Sequence, residues 1–390
     1  MKSFIEISLI SVLFYGGFAK QVPKGHAEPI QGSYIVTLKA STKDKAFEAH
    51  IDKVKKMLGN NKQSSGIDHV YGKVLLGYSA RFPDEALAKI KAMPEVDAVE
   101  NDQSGEVNVV QEETTWGLAR LSASNEFPKN TKLWSYTYDP SAGEGVDVYV
   151  IDSGIKTDHP DFQGRAKWGA NFVDKKNTDE YGHGTHVAGT VGSKTYGVAK
   201  KSTLFAVKVV DGKGRLKLSR VIAGVDWAIR NRRQGQGCVM NLSMSLRGSV
   251  AFTNVLRATV NLNCVVVASA GNRNQDACNS LPAADPYVIT VGASDVYDER
   301  ASFSNWGKCV KVFAPGDKIK SLSIKGDTKI DSGTSMAAPH VAGLASIVLS
   351  KKKAYKPADV LKEIIKHSKS GLLKKIGEGS PNILVSSIGL

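Results

Sequence analysis

Four short runs, residues 146–151, 204–210, 238–242 and 265–268, are almost wholly apolar and rich in β-branched side chains. A strand with one wet face alternates polar and apolar residues, so runs without alternation predict strands buried on both faces. Helix-length stretches stand between and beyond them, at 185–191, 218–232, 253–260 and 335–349, the last rich in alanine and glycine. Strands that alternate with helices constrain this part of the chain to an α/β architecture with a mostly parallel central sheet.

A second pattern precedes it. Residues 33–39 place Tyr34, Val36 and Leu38 on alternate positions of a strand. Residues 43–58 carry Phe47, Ile51, Val54 and Leu58 at spacings of three and four, one face of a helix. Residues 70–82 read as one or two strands around Gly72 and Gly77, 84–93 as a short helix stopped by Pro94, and 96–100 as a last strand. This strand–helix order predicts a small ferredoxin-like α+β unit. Residues 102–113 turn polar and acidic, which predicts an exposed joint.

At the N-terminus, Lys2 precedes a mostly apolar stretch from Ile5 to Phe14, and Gly17 and Ala19 are small. That pattern predicts a signal peptide cut after Ala19 and a secreted protein. The expected divisions are then 1–19 signal peptide, 20–108 leading unit and 109–390 main domain. No later stretch is long and apolar enough to predict a membrane span. Residues 1–108 hold 14 Lys/Arg against 13 Asp/Glu, and residues 109–390 hold 38 against 25, so the +14 excess lies almost wholly in the main domain. No nucleic-acid module accompanies that charge, which excludes nucleic acid as the expected partner. Secretion permits disulfides among Cys238, Cys264, Cys278 and Cys309.

Three segments carry candidate chemistry. The run Val148-Tyr-Val-Ile-Asp152 ends a strand in a carboxylate, where α/β proteins place function, although an Asp there also caps turns. In Gly182-His183-Gly184-Thr185-His186, glycines flank a histidine at a helix start, and His186 offers a competing metal-site reading with no third ligand evident. In Gly333-Thr-Ser335-Met336, a serine opens the apolar helix beside free backbone N–H groups, or simply caps it.

Read in chain order, Asp152, His183 and Ser335 follow the subtilisin order of a catalytic triad, distinct from that of chymotrypsin or the α/β-hydrolases. Residues 116–350 resemble the subtilisin-like serine proteases, most closely the proteinase K branch. The matching motifs are Trp116-Gly-Leu-Ala-Arg-Leu121, Tyr149-Val-Ile-Asp152, Gly182-His-Gly-Thr-His186, Thr195-Tyr-Gly-Val-Ala-Lys-Lys201, Ser302-Phe-Ser-Asn305 and Gly333-Thr-Ser-Met336. The resemblance implies a three-layer subtilisin-like fold behind an inhibitory propeptide of the same family. It implies a serine endopeptidase in which Ser335 is the nucleophile, His183 the general base and Asp152 the group that orients it. It assigns Asn272 and the Ser335 backbone N–H to the oxyanion hole, and Ser243, Met244, Ser245, Ala270 and Gly271 to substrate binding. Propeptide cleavage is expected between Asn108 and Val109.

The sequence departs from that family in its cleft. Where Ser-Leu-Gly-Gly is common, this chain reads Ser243-Met-Ser245-Leu246-Arg247, with Met244-Ser-Leu-Arg247 as the slipped register, and either way bulk replaces a glycine. The basic segment Lys213-Gly-Arg-Leu-Lys217 lies where the family binds extended substrate. The expected preference is broad or hydrophobic, tolerant of acidic flanks. Lys311 stands where the family carries a calcium-binding Asp, leaving carbonyls of Pro286 and Val288, so metal ligands stay unknown, structural calcium elsewhere stays open and no cofactor is expected for the chemistry. Cys278 and Cys309 match a bridge of aqualysin-like relatives, while Cys238 and Cys264 are expected as free buried thiols. The sequon Asn241-Leu-Ser243 sits on a core strand and is expected unmodified. Expected partners are protein and peptide substrates and the chain's own propeptide, with the enzyme a monomer. The alternative is a catalytically silent homologue acting as a binding protein.

Overall fold

A computed structural model describes residues 28–58, 65–72, 75–104, 109–125, 127, 128, 131 and 133–390. The expected signal peptide, 1–19, and Asn108 lie outside the described residues. The chain divides into two compact units, residues 1–106 and 107–390.

In the first unit the elements run β1 (Glu28–Leu38), α1 (Asp44–Leu58), β2 (Gly66–Tyr71), β3 (Gly77–Arg81), α2 (Asp84–Lys91) and β4 (Val96–Ser104). The four strands form one antiparallel sheet in the order β2-β3-β1-β4, the ferredoxin-like arrangement. Tyr34, Val36 and Leu38 face inward, as their alternation requires, and meet Ile51, Val54 and Leu58 of α1. β4 runs further than its apolar residues suggest. The segment through Ser104, expected as exposed joint, pairs with β1, and Ser33 Oγ donates to Asp102 at 3.3 Å. An edge strand needs only its backbone paired on one side, so acidic side chains there are tolerated.

The second unit opens with β5 (Val109–Gln111), α3 (Trp116–Ser122), β6 (Tyr136–Tyr138) and β7 (Val146–Asp152). Next come β8 (Ala166–Asn171), α4 (His183–Gly192), β9 (Thr203–Lys208), α5 (Leu218–Arg230), β10 (Gly237–Leu242), α6 (Val250–Asn261) and β11 (Val265–Ser269). It closes with β12 (Ile289–Ser294), β13 (Val312–Pro315), β14 (Ile319–Leu322), β15 (Thr328–Asp331), α7 (Thr334–Lys351), α8 (Pro357–His367), β16 (Lys369–Ser370) and β17 (Ile383–Leu384). The main sheet has the order β16-β17-β13-β12-β11-β10-β7-β9-β8, and every neighbouring pair except β16–β17 is parallel.

Helices cover both faces. Val146, Val148 and Val150 of β7 pack with Val187 and Val191 of α4 and with the apolar body of α7. Tyr149 and Ile151 point the other way, toward Val221 and Val225 of α5 and Phe252 and Leu256 of α6. α7 lies close against its neighbours because its residues are small. A Cβ added at Gly343 would stand 2.6 Å from the Cβ of Val198. After β7 the chain builds β8 and β9 on one side and then crosses to β10 on the other. That reversal opens a crevice at the carboxyl ends of β7 and β10, the place where open α/β sheets bind ligands. Among the described residues no helix is long and apolar enough to cross a membrane.

Both cysteine pairs are bridged, Cys278 to Cys309 and Cys238 to Cys264. The second bridge corrects the expectation of free thiols. β10 and β11 are parallel neighbours with Val239 opposite Val265, so Cys238 and Cys264 stand side by side with Cα atoms 4.7 Å apart. Replacing both by alanine should lower stability by about 3–4 kcal/mol, the chain-entropy value for a loop of this length, read as a lower denaturant midpoint.

Candidate active site

β7 ends in Asp152, whose side chain is buried. Both its oxygens accept from His183 Nδ1–H, at 2.8 and 2.9 Å, and one also accepts the Ser153 N–H at 2.7 Å. A carboxylate can only accept, so this pair fixes the proton on Nδ1 and leaves Nε2 with a free lone pair. The His183 side chain keeps 25% of its surface exposed, enough for a substrate to reach that nitrogen. Burial disfavours the imidazolium, but the charge and hydrogen bond of Asp152, with Asp179 and Asp331 nearby, outweigh it and raise the His183 pKa above its ordinary value.

The glycines around His183 have steric reasons. Gly182 caps α4 at φ +95°, a left-handed conformation, and a Cβ on Gly184 would lie 2.1 Å from the Gly154 carbonyl oxygen. Asp179 ties the turn together. It accepts from Ser153 Oγ, the Tyr181 and Gly182 N–H groups, and the Thr185 N–H and hydroxyl. Ser153 Oγ in turn accepts the Gly184 N–H. Behind this turn the buried Lys208, at the end of β9, pairs with Asp174 and Glu180. His186 points elsewhere. Its Nε2–H donates to the carbonyls of Ile319 and Lys329, and burial lowers its pKa to about 4, so it serves as a neutral packing residue.

Ser335 lies in the first turn of α7, where backbone N–H groups lack helical acceptors. Its hydroxyl donates to the Ser243 carbonyl at 3.4 Å, and Ser243 Oγ donates to the Ser335 carbonyl at 2.9 Å, which locks the end of β10 to the start of α7. His183 is not among the hydrogen-bond partners of that hydroxyl among the described residues.

Asn272 follows β11. Its Oδ1 accepts both the N–H and the hydroxyl of Thr334 at 2.8 Å, which assigns the amide and turns Nδ2 away from Thr334. A Cβ on Gly333 would sit 3.3 Å from that nitrogen, so glycine leaves the amide its space. Asn305 holds the turn from behind, donating to the Ala270 carbonyl and accepting from the Arg273 and Gln275 N–H groups.

A cavity of about 450 Å³ adjoins Ser335 and Asn272 and takes in Met244, Ser245 and Gly271. Two expected lining residues are absent from it. Ser243 is buried and occupied with Ser335, and Ala270 packs inward against Ala277, Val310 and Phe313. Sequence reasoning misses Thr334, Asp179, Ser153 and Asn305, because isolated polar residues near turns look alike in sequence. Thr334 and Asn305 lie inside quoted motifs without a role of their own there, and Ser153 and Asp179 are marked only by closeness to the Asp152 and His183 segments.

Residues 143–382, more than half of the chain, match the Subtilase family. The chain is a subtilase. Residues 33–108 match peptidase inhibitor I9, so this subtilase carries the inhibitor-type propeptide of a zymogen. It is 40% identical over 385 residues to subtilisin-like protease 6 of Trichophyton rubrum, covering 92% of each chain. Subtilisin-like protease 1 of the same organism is 40% identical over 403 aligned positions, covering 99% of this chain and 78% of that one. Among solved structures, a cold adapted subtilisin-like serine proteinase is similar at TM-score 0.66 and 37% identity, covering 70% of this chain and 98% of that one. The subtilase is thus a serine endopeptidase with the expected subtilisin-like fold.

Proposed function

We propose that this subtilase is a secreted, self-processing endopeptidase that cuts proteins through an acyl-enzyme on Ser335. The observation that carries the reading is the Asp152–His183 pair at the end of β7 and the start of α4, taken with Ser335 in the first turn of α7 beside a Thr334-anchored Asn272. When a peptide carbonyl enters, the Ser335 hydroxyl leaves the Ser243 carbonyl and gives its proton to His183 Nε2. Its oxygen bonds to the carbonyl carbon. Asn272 Nδ2 and the Ser335 N–H then stabilise the oxyanion. His183 returns the proton to the leaving amine as the C–N bond breaks. A water, deprotonated by the same nitrogen, then bonds to the acyl carbon, the bond to Ser335 Oγ breaks as His183 returns the proton to it, and the acid leaves. These steps use only groups of this chain. At Lys311 an ammonium replaces the carboxylate that a calcium site there would need, and the carbonyls of Pro286 and Val288 alone rarely hold that ion.

Residues 20–108 act as intramolecular inhibitor and folding aid until the bond between Asn108 and Val109 is cut. The signal-like residues 1–19 and the two disulfides fit an exported chain. The mature enzyme works as a monomer. A fluorophosphonate should label wild-type mature protein at the peptide containing Ser335. A well-folded, processed enzyme that takes no label there would favour the silent-homologue reading.

A further inference from the structure

We infer that the cavity beside Ser335 selects an acidic side chain at the residue before the cut bond, and that Arg247 and Arg273 read its carboxylate. This rests on the endopeptidase reading above. The sequence suggested an apolar or broad preference, yet the cavity lining is mostly polar: Ser245, Gln275, Asn279 and Ser280 join the two arginines, with Met244 and Leu246 as its large apolar members. No Asp or Glu contributes to the lining. Neither guanidinium has an ion-pair or hydrogen-bond partner among the described residues. Elsewhere in the same unit, Arg120, Arg215, Arg230 and Arg233 each hold a carboxylate. Two arginines without a partner are thus gathered at the pocket of the nucleophile.

Their backbones are fixed. Leu246 exchanges both backbone hydrogen bonds with Leu281, at 2.7 and 2.9 Å, which sets the position of Arg247. The Arg273 N–H donates to Asn305 Oδ1 at 3.0 Å. A guanidinium offers a planar fork of donors suited to a carboxylate. A bound Glu or Asp would supply the missing acceptors, whereas a Lys would meet like charge and a Leu would desolvate the arginines without compensation. The chain's own junction fits this chemistry. Asn108, the carboxamide counterpart of Asp, stands before the expected cut, with Asp102 and Glu106 upstream. The excess of 38 Lys/Arg over 25 Asp/Glu in residues 109–390 would also draw acidic segments in.

The test is a set of quenched peptides differing only at the residue before the cut, assayed with mature enzyme. At low ionic strength kcat/KM for Glu should exceed that for Leu by about tenfold, and the ratio should shrink as salt is added. Arg247→Gln and Arg273→Gln should each lower the Glu-to-Leu ratio by about fivefold, the worth of one partly screened charge pair. Arg273→Lys should retain most of it. A wild-type enzyme that prefers Leu or Phe, or a ratio unmoved in both glutamine variants, would overturn the inference. Fluorophosphonate labelling of each preparation separates the two readings. Labelled enzyme without acidic preference overturns only the selectivity. Unlabelled, folded wild type overturns the endopeptidase reading as well.

Discussion

Ser335→Ala should leave the chain uncut and turnover reduced on the order of 10⁶-fold, the loss known for the corresponding change in subtilisin itself. The reason is chemical rather than structural. Alanine removes the only atom that bonds to the substrate carbonyl in the proposed steps. The hydroxyl's 3.4 Å hydrogen bond to the Ser243 carbonyl is weak, and the reciprocal 2.9 Å bond from Ser243 Oγ to the Ser335 backbone survives the substitution. The variant should therefore fold as well as wild type. Electrophoresis and N-terminal sequencing of the purified protein provide the readout. Wild type should give a fragment beginning near Val109, and the variant only the longer form. A purified variant that still releases the shorter fragment by itself would sink the self-processing proposal.

Asp152→Asn should lower kcat by about 10⁴ and also move the pH profile. In wild type, burial pulls the His183 pKa down, but the Asp152 charge and hydrogen bond pull it up further, and the net direction is upward. A general base works only when neutral, so kcat/KM should rise with pH through a value above the usual 6.5 of histidine. Asparagine removes the charge that raises this pKa, so the acidic limb should shift to lower pH while the plateau falls. The plateau falls because an amide N–H facing Nδ1 favours the wrong tautomer. If the variant keeps its plateau within tenfold of wild type, or its acidic limb does not move, Asp152 is not the orienting group.

Much of this was legible in the chain. Runs such as residues 146–151 announced strands with no wet face, and β7 indeed sends Val148 to one helix layer and Tyr149 to the other. The segments bearing Asp152, His183 and Ser335 could be placed at a strand end and two helix starts, because glycine spacing and apolar patterning are local signals. Relations between strands were not local. Cys238 lies near the start of β10 and Cys264 just before β11, but only the parallel register of the two strands makes them neighbours. β12, whose run Ile289–Ser294 includes Gly292, gave no clear strand pattern, yet it pairs with β11 and β13 inside the sheet. Ala270 reads as part of a cleft motif, and tertiary packing turns it inward instead. Arg247 shows in the sequence only as the end of a divergent cleft motif and Arg273 carries no local signal, until the fold brings them to one pocket.

Asp179 has a consequence for how the reaction is timed. One carboxylate with five hydrogen bonds binds the end of β7, the turn at Tyr181–Gly182 and the first turn of α4 into one rigid body. The freedom of the imidazole is therefore given up once, as the chain folds, and not again for each peptide that arrives. A substrate binding here loses its own motion but waits for no rearrangement of Asp152 against His183. The one small movement left to the encounter is the turn of the Ser335 hydroxyl away from the Ser243 carbonyl.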